Sequence, residues 1–295
     1  MYLPTVSLGY AVPDGSFDAS IHSVFRSALN LRLNGESNLL TLIASDEDNL
    51  PQGIRIETPE EFTFEGFRLG ELAVCRDAIL HFEHNPLTIQ LSGARRWKCD
   101  LPALRFDPAN PAASAAWSFV WEVLNTRQMS AEAEIVAEEL LVESAREGVP
   151  RRAGKAMRDL LHATQQYQSN ISAVEGLIGL GSGLTPSGDD LLVGYLAGLW
   201  CTVCGQSERA QFIARLAEIV VTRSSRTNDI SRTYLYHAAQ GQVSSRLANL
   251  AEAISQGTNH KRFREIAEAS FKVGHTSGMD AVTGLLIGLT AWANP

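Results

Sequence analysis

The segment Gly179-Leu180-Gly181-Ser182-Gly183-Leu184-Thr185-Pro186-Ser187-Gly188-Asp189-Asp190 sets glycines, hydroxyls and two acids directly before an apolar run. Closely spaced glycines let successive amides point into one concavity, and a helix starting there adds the positive end of its dipole. That combination holds a phosphate or a carboxylate. Gly181, Ser182, Gly183, Thr185, Ser187 and Gly188 are therefore candidate anion-binding residues, the hydroxyls supplying extra donors. No lysine follows the last glycine as in a Walker loop, and no strand leads into a G-x-G-x-x-G pattern, so a nucleotide site is not expected.

The first part of this chemistry recurs. Ser187–Leu199 and Ser277–Leu289 share the pattern S-G-x-D-x3-G-x3-G-L, with Asp190 answered by Asp280 and Gly194/Gly198 by Gly284/Gly288. If the two helices pack in parallel through their glycine stripes, their N-termini meet and Asp190, Asp280, Ser277 and Gly278 join one site. If they run antiparallel, no shared site forms. A purely structural reading stands beside this one: Ser-x-x-Asp is also a capping box, and glycines four apart also permit close helix packing. Asp189 has Met279 opposite it in the second copy and so is the acid most free for catalysis, although a first-turn acid is also favoured by the helix dipole. Asp190 and His275, the latter just ahead of the second copy, are the other candidate proton-transfer groups. His275 can equally be a polar helix flank. Thr222–Arg232 gathers cations, hydroxyls and an amide at a further helix start, where Arg226 and Asn228 could clamp an anion or simply end a helix in water.

The elements that must position these groups divide the chain. From about residue 20 to 106 the apolar runs are short and often alternating, with a hairpin expected around Asn34-Gly35-Glu36-Ser37 and strands at Phe67–Cys75, Ala78–Phe82 and Leu87–Leu91. Leu101–Ala113, with Pro102, Pro108 and Pro111, reads as a linker. Beyond it the period is helical, at Ala115–Leu124, Ala131–Ala145, Ala153–Ala163, Glu208–Val221, Ile230–Ala239, Ser245–Ile254 and Arg262–Phe271. The expectation is an α+β protein: a β-rich N-terminal domain over 1–112, then a mainly helical domain over 113–295 that carries the glycine loop.

The 295 residues are 45% hydrophobic and 20% charged, the balance of a soluble globular chain, and the net charge of -8 argues against nucleic-acid or anionic-membrane surfaces. Most of the acidic excess lies in residues 1–112, which leaves the helical part the better host for an anion. No run reaches the roughly 18 apolar residues of a membrane span, the start lacks the features of a secretory signal, and four cysteines make no disulfide framework; a cytoplasmic protein is expected. Cys201 and Cys204 in WCTVC follow an apolar helical run rather than a strand and read as core thiols. The seven histidines show no ligand spacing, so neither zinc nor any other metal or cofactor is expected.

The string GLGSGLTPSGDDLLVGYLAGL, with HTSGMDAVTGLLIGL near the C-terminus and FRSALNLRL…NLLTL near the N-terminus, resembles a bacterial family long catalogued as a domain of unknown function. AllH-like members of that family are subunits of oxamate carbamoyltransferase. The resemblance spans about Phe25 to Leu289. It implies a heteromeric enzyme, with FdrA-like and AllG-like partner subunits, that interconverts oxalurate plus phosphate with oxamate plus carbamoyl phosphate in nitrogen recovery from allantoin. All of these ligands are small anions. Arg26 and Asn30 lie in the N-terminal motif and either complete the anion site or are edge-strand polar residues. Two other readings remain open: a magnesium-dependent hydrolase using Asp189, Asp190 and Asp280, and a noncatalytic metabolite-binding or scaffolding protein.

Overall fold

The computed structural model describes residues 1–44, 48–101, 109–142, 147–256 and 260–292, leaving aside the side chain of His260. The chain forms two compact units, Met1–Cys99 and Asp100–Pro295. Together they make the α+β protein expected from the sequence.

The first unit is a β-barrel. Its strands are β1 (Tyr2–Gly9), β2 (Phe17–Val24), β3 (Ala28–Leu33), β4 (Leu39–Ile43), β5 (Gly53–Ile56), β6 (Leu72–Arg76), β7 (Ile79–Phe82), β8 (Thr88–Gln90) and β9 (Arg95–Trp97). They run in the order β5-β4-β3-β2-β6-β7-β8-β1-β9, and pairing of β1 with β5 closes the sheet on itself. Closure satisfies the edge strands that an open sheet would leave exposed. The expected hairpin is β3–β4, paired antiparallel from Ala28 opposite Ile43 to Arg32 opposite Leu39. Gly35 turns it at φ +83°, a conformation that costs glycine little. Leu29, Leu31, Leu42, Ile54, Ile56, Leu80 and Ile89 are fully buried in the barrel interior. The strand expected over Phe67–Cys75 begins only at Leu72, because the chain turns at Gly70 with φ +79°.

The second unit contains α1 (Pro111–Ser130), α2 (Ala137–Leu141), α3 (Val149–Gln165), α4 (Ile171–Leu177), α5 (Ser187–Cys201), α6 (Ser207–Arg223), a 3-10 turn (Ser224–Arg226), α7 (Asp229–Ala239), α8 (Ser245–Gln256), α9 (His260–Phe271) and α10 (Ser277–Thr290). The linker expected over Leu101–Ala113 ends inside α1, where Asn110 accepts from the Ala112 amide and Pro111 occupies the first turn. A division at residue 112 therefore falls within a helix; Pro102 and Pro108 lie outside the described residues. The helix expected over Ala131–Ala145 is broken. Glu132 has φ +50°, and α2 starts only where the side-chain carbonyls of Gln128 and Asn125 accept from the amides of Ala137 and Glu138 at 2.8 Å each. Residues 143–146 lie outside the described residues.

Helices α5 and α10 are buried almost all round, which marks them as the centre of the unit. The hydroxyl of Tyr195 ties α5 to α3 through Thr164 at 2.7 Å. Among the described residues no helix is long and apolar enough to cross a membrane.

Candidate functional site

The contacts of the repeat glycines fix how α5 and α10 meet. A Cβ on Gly194 would lie 1.8 Å from the Ala281 carbonyl oxygen, and one on Gly198 2.6 Å from that of Leu285. Conversely, a Cβ on Gly284 would lie 2.0 Å from the Leu191 oxygen and one on Gly288 2.4 Å from that of Tyr195. The partners advance together along both helices, so the helices are parallel and the two copies exchange equivalent contacts. Backbone packs on backbone, and any side chain at these positions would part the pair.

Gly188 and Gly278 do the same at the helix starts: an added Cβ would lie 2.0 Å from the Leu177 oxygen and 2.2 Å from the Ser270 oxygen. Their amides are already spent on Leu180 and Val273 carbonyls, at 2.8 and 3.0 Å. These two glycines, expected to contact an anion, instead seat each helix start against the end of the helix before it.

The capping-box reading does not hold. Pro186 and Thr276 stand at the cap positions and neither helix has a side-chain cap bond. The repeat residues cross over instead. Thr185 Oγ1 and Ser277 Oγ lie 2.6 Å apart, and both hydroxyls face the Asp190 carboxyl, whereas Ser187 and Thr276 face Asp280. Each serine thus serves the aspartate of the other copy.

The serine and threonine beside Asp280 temper its charge without forming well-aligned bonds. Both Asp280 oxygens, and Oδ2 of Asp190, are buried with no hydrogen-bond partner among the described residues. Unpaired buried acceptors are costly, and these three belong to two carboxyls close enough for the charge of Asp280 to act on Asp190. Burial, followed by the Asp280 charge, holds the Asp190 carboxyl well above the ordinary carboxylate range. Burial pushes Asp280 up to about 7, with Glu134 adding a smaller push in the same direction. The two carboxyls titrate as a pair that retains a proton close to neutral pH.

Over this pair runs the glycine loop. Gly179, Gly181 and Gly183 have φ of +72°, +113° and +92°, so the loop takes left-handed turns at three alternate residues. Among the described residues the amides of Gly181, Ser182, Gly183 and Leu184 have no protein acceptor. Ser182 and Gly183 are exposed, while Thr185 and Ser187 lead inward to the carboxyls. A Cβ on Gly181 would sit 2.9 Å from the Ser187 nitrogen and 3.5 Å from Glu134 Oε2. Glu134 therefore borders both the loop and Asp280. It carries no motif in the sequence, and only the break between α1 and α2 brings it here.

Asp189 has the structural duty that the repeat comparison does not reveal. Its Oδ1 accepts from the Gly179 amide at 2.8 Å and its Oδ2 from Thr227 Oγ1 at 2.5 Å, bracing the loop to the chain after the 3-10 turn. Burial raises its carboxyl and these bonds oppose the rise. Asp189→Ala strands both donors and is expected to cost about 2 kcal/mol in denaturant unfolding, whereas Asp189→Asn, which keeps an acceptor, stays within about 1 kcal/mol. Equal losses in the two variants would contradict the brace.

Of the remaining candidates, Arg226 borders the loop, its carbonyl oxygen 3.2 Å from where a Cβ on Gly179 would stand. Arg226 is exposed and pairs with Glu175 at 3.2 Å. Asn228 caps α7, its Oδ1 accepting from the amides of Ile230 and Ser231 at 3.0 and 3.1 Å. His275 is exposed, with no hydrogen bond or ion pair among the described residues. In the barrel unit Arg26 is exposed, and Asn30 is buried within the sheet, donating to Ser23 Oγ at 2.9 Å and accepting from Thr41 Oγ1 at 2.8 Å. Asn30 is thus spent on joining β2, β3 and β4. Cys201 is buried in the last turn of α5 and Cys204 is exposed beyond it; neither forms a disulfide.

Two family models match the chain. Residues 7–96 match the AllH family N-terminal domain, and residues 177–289, which hold the loop and both repeat helices, match the oxamate carbamoyltransferase subunit AllH. No solved structure matches the chain. The two matches coincide with the barrel and with the paired helix starts, and together they cover most of the sequence: the chain belongs to the AllH family.

Proposed function

We propose that this chain is the subunit of an oxamate carbamoyltransferase-like complex that holds the substrate at the paired starts of α5 and α10. The observation that carries this reading is the set of orphaned oxygens of Asp190 and Asp280 beside loop amides that have no protein acceptor among the described residues. Amides and helix dipoles suit the anionic end of a ligand, and buried carboxyl oxygens suit its N–H groups. Oxalurate, oxamate and carbamoyl phosphate each carry both ends.

In the phosphorolytic direction a hydrogen phosphate oxygen attacks the ureido carbonyl of oxalurate, and the bond from that carbon to the oxamate nitrogen breaks. The proton that phosphate gives up passes to the leaving nitrogen, and the Asp190/Asp280 pair, which holds a proton near neutral pH, is suited to relay it. Amides of Gly181–Leu184, with Thr185 and Ser182, would hold the charge that develops on oxygen. FdrA-like and AllG-like subunits complete the site, in a cytoplasmic route of allantoin nitrogen recovery.

The magnesium-hydrolase alternative has less support. Among the described residues no group of three or more histidine, cysteine or acidic side chains is arranged to hold a metal, and the Asp189 oxygens are already engaged.

The test is phosphate-dependent cleavage of oxalurate, followed as carbamoyl phosphate release, by the purified chain alone and with the partner subunits added. Turnover is expected only in the full mixture. Full activity of the isolated chain would end the subunit reading, and binding of oxamate without turnover in any mixture would point to a noncatalytic metabolite-binding protein.

A further inference from the structure

A groove of about 500 Å³ opens on the helical unit beside the glycine loop. Helix α3 contributes Arg152, Lys155 and Asp159, α4 contributes Glu175, the 3-10 turn contributes Arg226, and the backbone of Gly179–Gly181 closes one end. The groove shares that backbone with the loop but includes none of Thr185, Ser187, Asp190, Ser277 and Asp280. Its volume suits a small molecule.

The charges in and around it do not cancel. Glu175 is held by both Arg223 and Arg226, each at 3.2 Å, and Lys155 pairs with Asp159 at 2.6 Å. Arg152 has neither an ion pair nor a side-chain hydrogen bond among the described residues. Among the described residues, four cations thus serve two acids. The doubled pairing on Glu175 has a consequence for binding: a ligand can draw Arg226 away while Arg223 still neutralises the glutamate. Glycine at 179 and 181 keeps side chains off the end wall, and the Gly181 amide is without a protein acceptor among the described residues.

We propose that this groove is a second anion site, for a small phosphate-type dianion gripped by Arg152, Arg226 and Lys155. Arginine forks match the paired oxygens of such a group better than any other side chain. The site goes beyond the carbamoyl-transfer reading, since it uses neither the carboxyl pair nor a partner subunit.

The experiment is calorimetric titration of inorganic phosphate into the full chain at low ionic strength, where exposed cations act most strongly. It compares the wild type, Thr185→Val, Arg152→Gln and Arg152→Gln/Lys155→Gln. Binding is expected to survive Thr185→Val and to weaken about tenfold or more in the double variant. Both substituted cations are exposed, so the unliganded melting temperature should stay near the wild-type value. As a check that needs no variant, phosphate should shift the Nε–H resonances of Arg152 and Arg226 in the wild type. Undiminished affinity in the double variant, loss through Thr185→Val alone, or no binding at millimolar phosphate would each overturn the groove site. None of these readings requires turnover, so a failure here is distinct from a failure of the proposed reaction.

Discussion

Gly194→Ala is expected to destabilise the helical unit by about 3 kcal/mol or more, read as a lowered midpoint in urea unfolding. Helix propensity alone predicts the opposite, since alanine in a helix interior is favoured over glycine by about 1 kcal/mol. Packing decides the sign. The new methyl carbon would lie 1.8 Å from the Ala281 carbonyl oxygen, and that neighbour is backbone, so relief requires α5 and α10 to separate. Gly15→Ala, where an added Cβ meets nothing within 4 Å and φ is ordinary, serves as the control and should stay within about 0.5 kcal/mol. A Gly194→Ala midpoint equal to or above the wild type would show that the helix pair is not in close backbone contact. Separation of the helices would also part Asp190 from Asp280, so under the proposed function oxamate or phosphate binding at the loop should fall with stability.

That coupling explains what the sequence reveals and what it conceals. Regular periods and local turn chemistry were legible: the β3–β4 hairpin around Gly35, the long helices α3 and α6 to α9, and the two glycine-striped helices whose parallel packing brings Asp190 to Asp280. Barrel closure was not, because β1 must pair with β5 and β8, segments far along the chain, and its own run is interrupted by Pro4. The seven-residue helix α4 is too short for a period to declare itself. Local patterns also misled. Ser-x-x-Asp has the spacing of a capping box, yet each serine is used by an aspartate some 90 residues away, a pairing that exists only once the helices have docked. Asp189 looked free because Met279 stands in its place in the second copy, but its partners, Gly179 and Thr227, lie outside the repeated segment. Repeat comparison finds what two copies share and is blind to what the surroundings add to one of them.

The pH dependence of stability follows from the same carboxyl pair. Asp280 titrates near 7 in the folded chain against an ordinary 3.8, so between these values the folded state holds a proton that the unfolded state has lost. Stability must therefore fall as pH rises from about 4 to about 7, and the raised Asp190 carboxyl deepens the fall. Asp280→Asn removes this penalty: near pH 4 the variant should match the wild type, and at pH 8 it should be more stable by up to the order of 4 kcal/mol. The substitution is nearly isosteric, and it also withdraws the charge that raises Asp190. Activity should move the other way. If the carboxyl pair relays the proton as proposed above, its loss in the complex with the partner subunits is expected to lower turnover by about 100-fold or more. Parallel pH–stability curves for wild type and Asp280→Asn would mean that the carboxyl is not desolvated as described, and full turnover in a stabilised variant would remove the pair from the chemistry. The opposed outcome, a firmer fold with a silent site, is what distinguishes a functional buried acid from a structural one, because an acid kept for the fold would take stability with it when replaced.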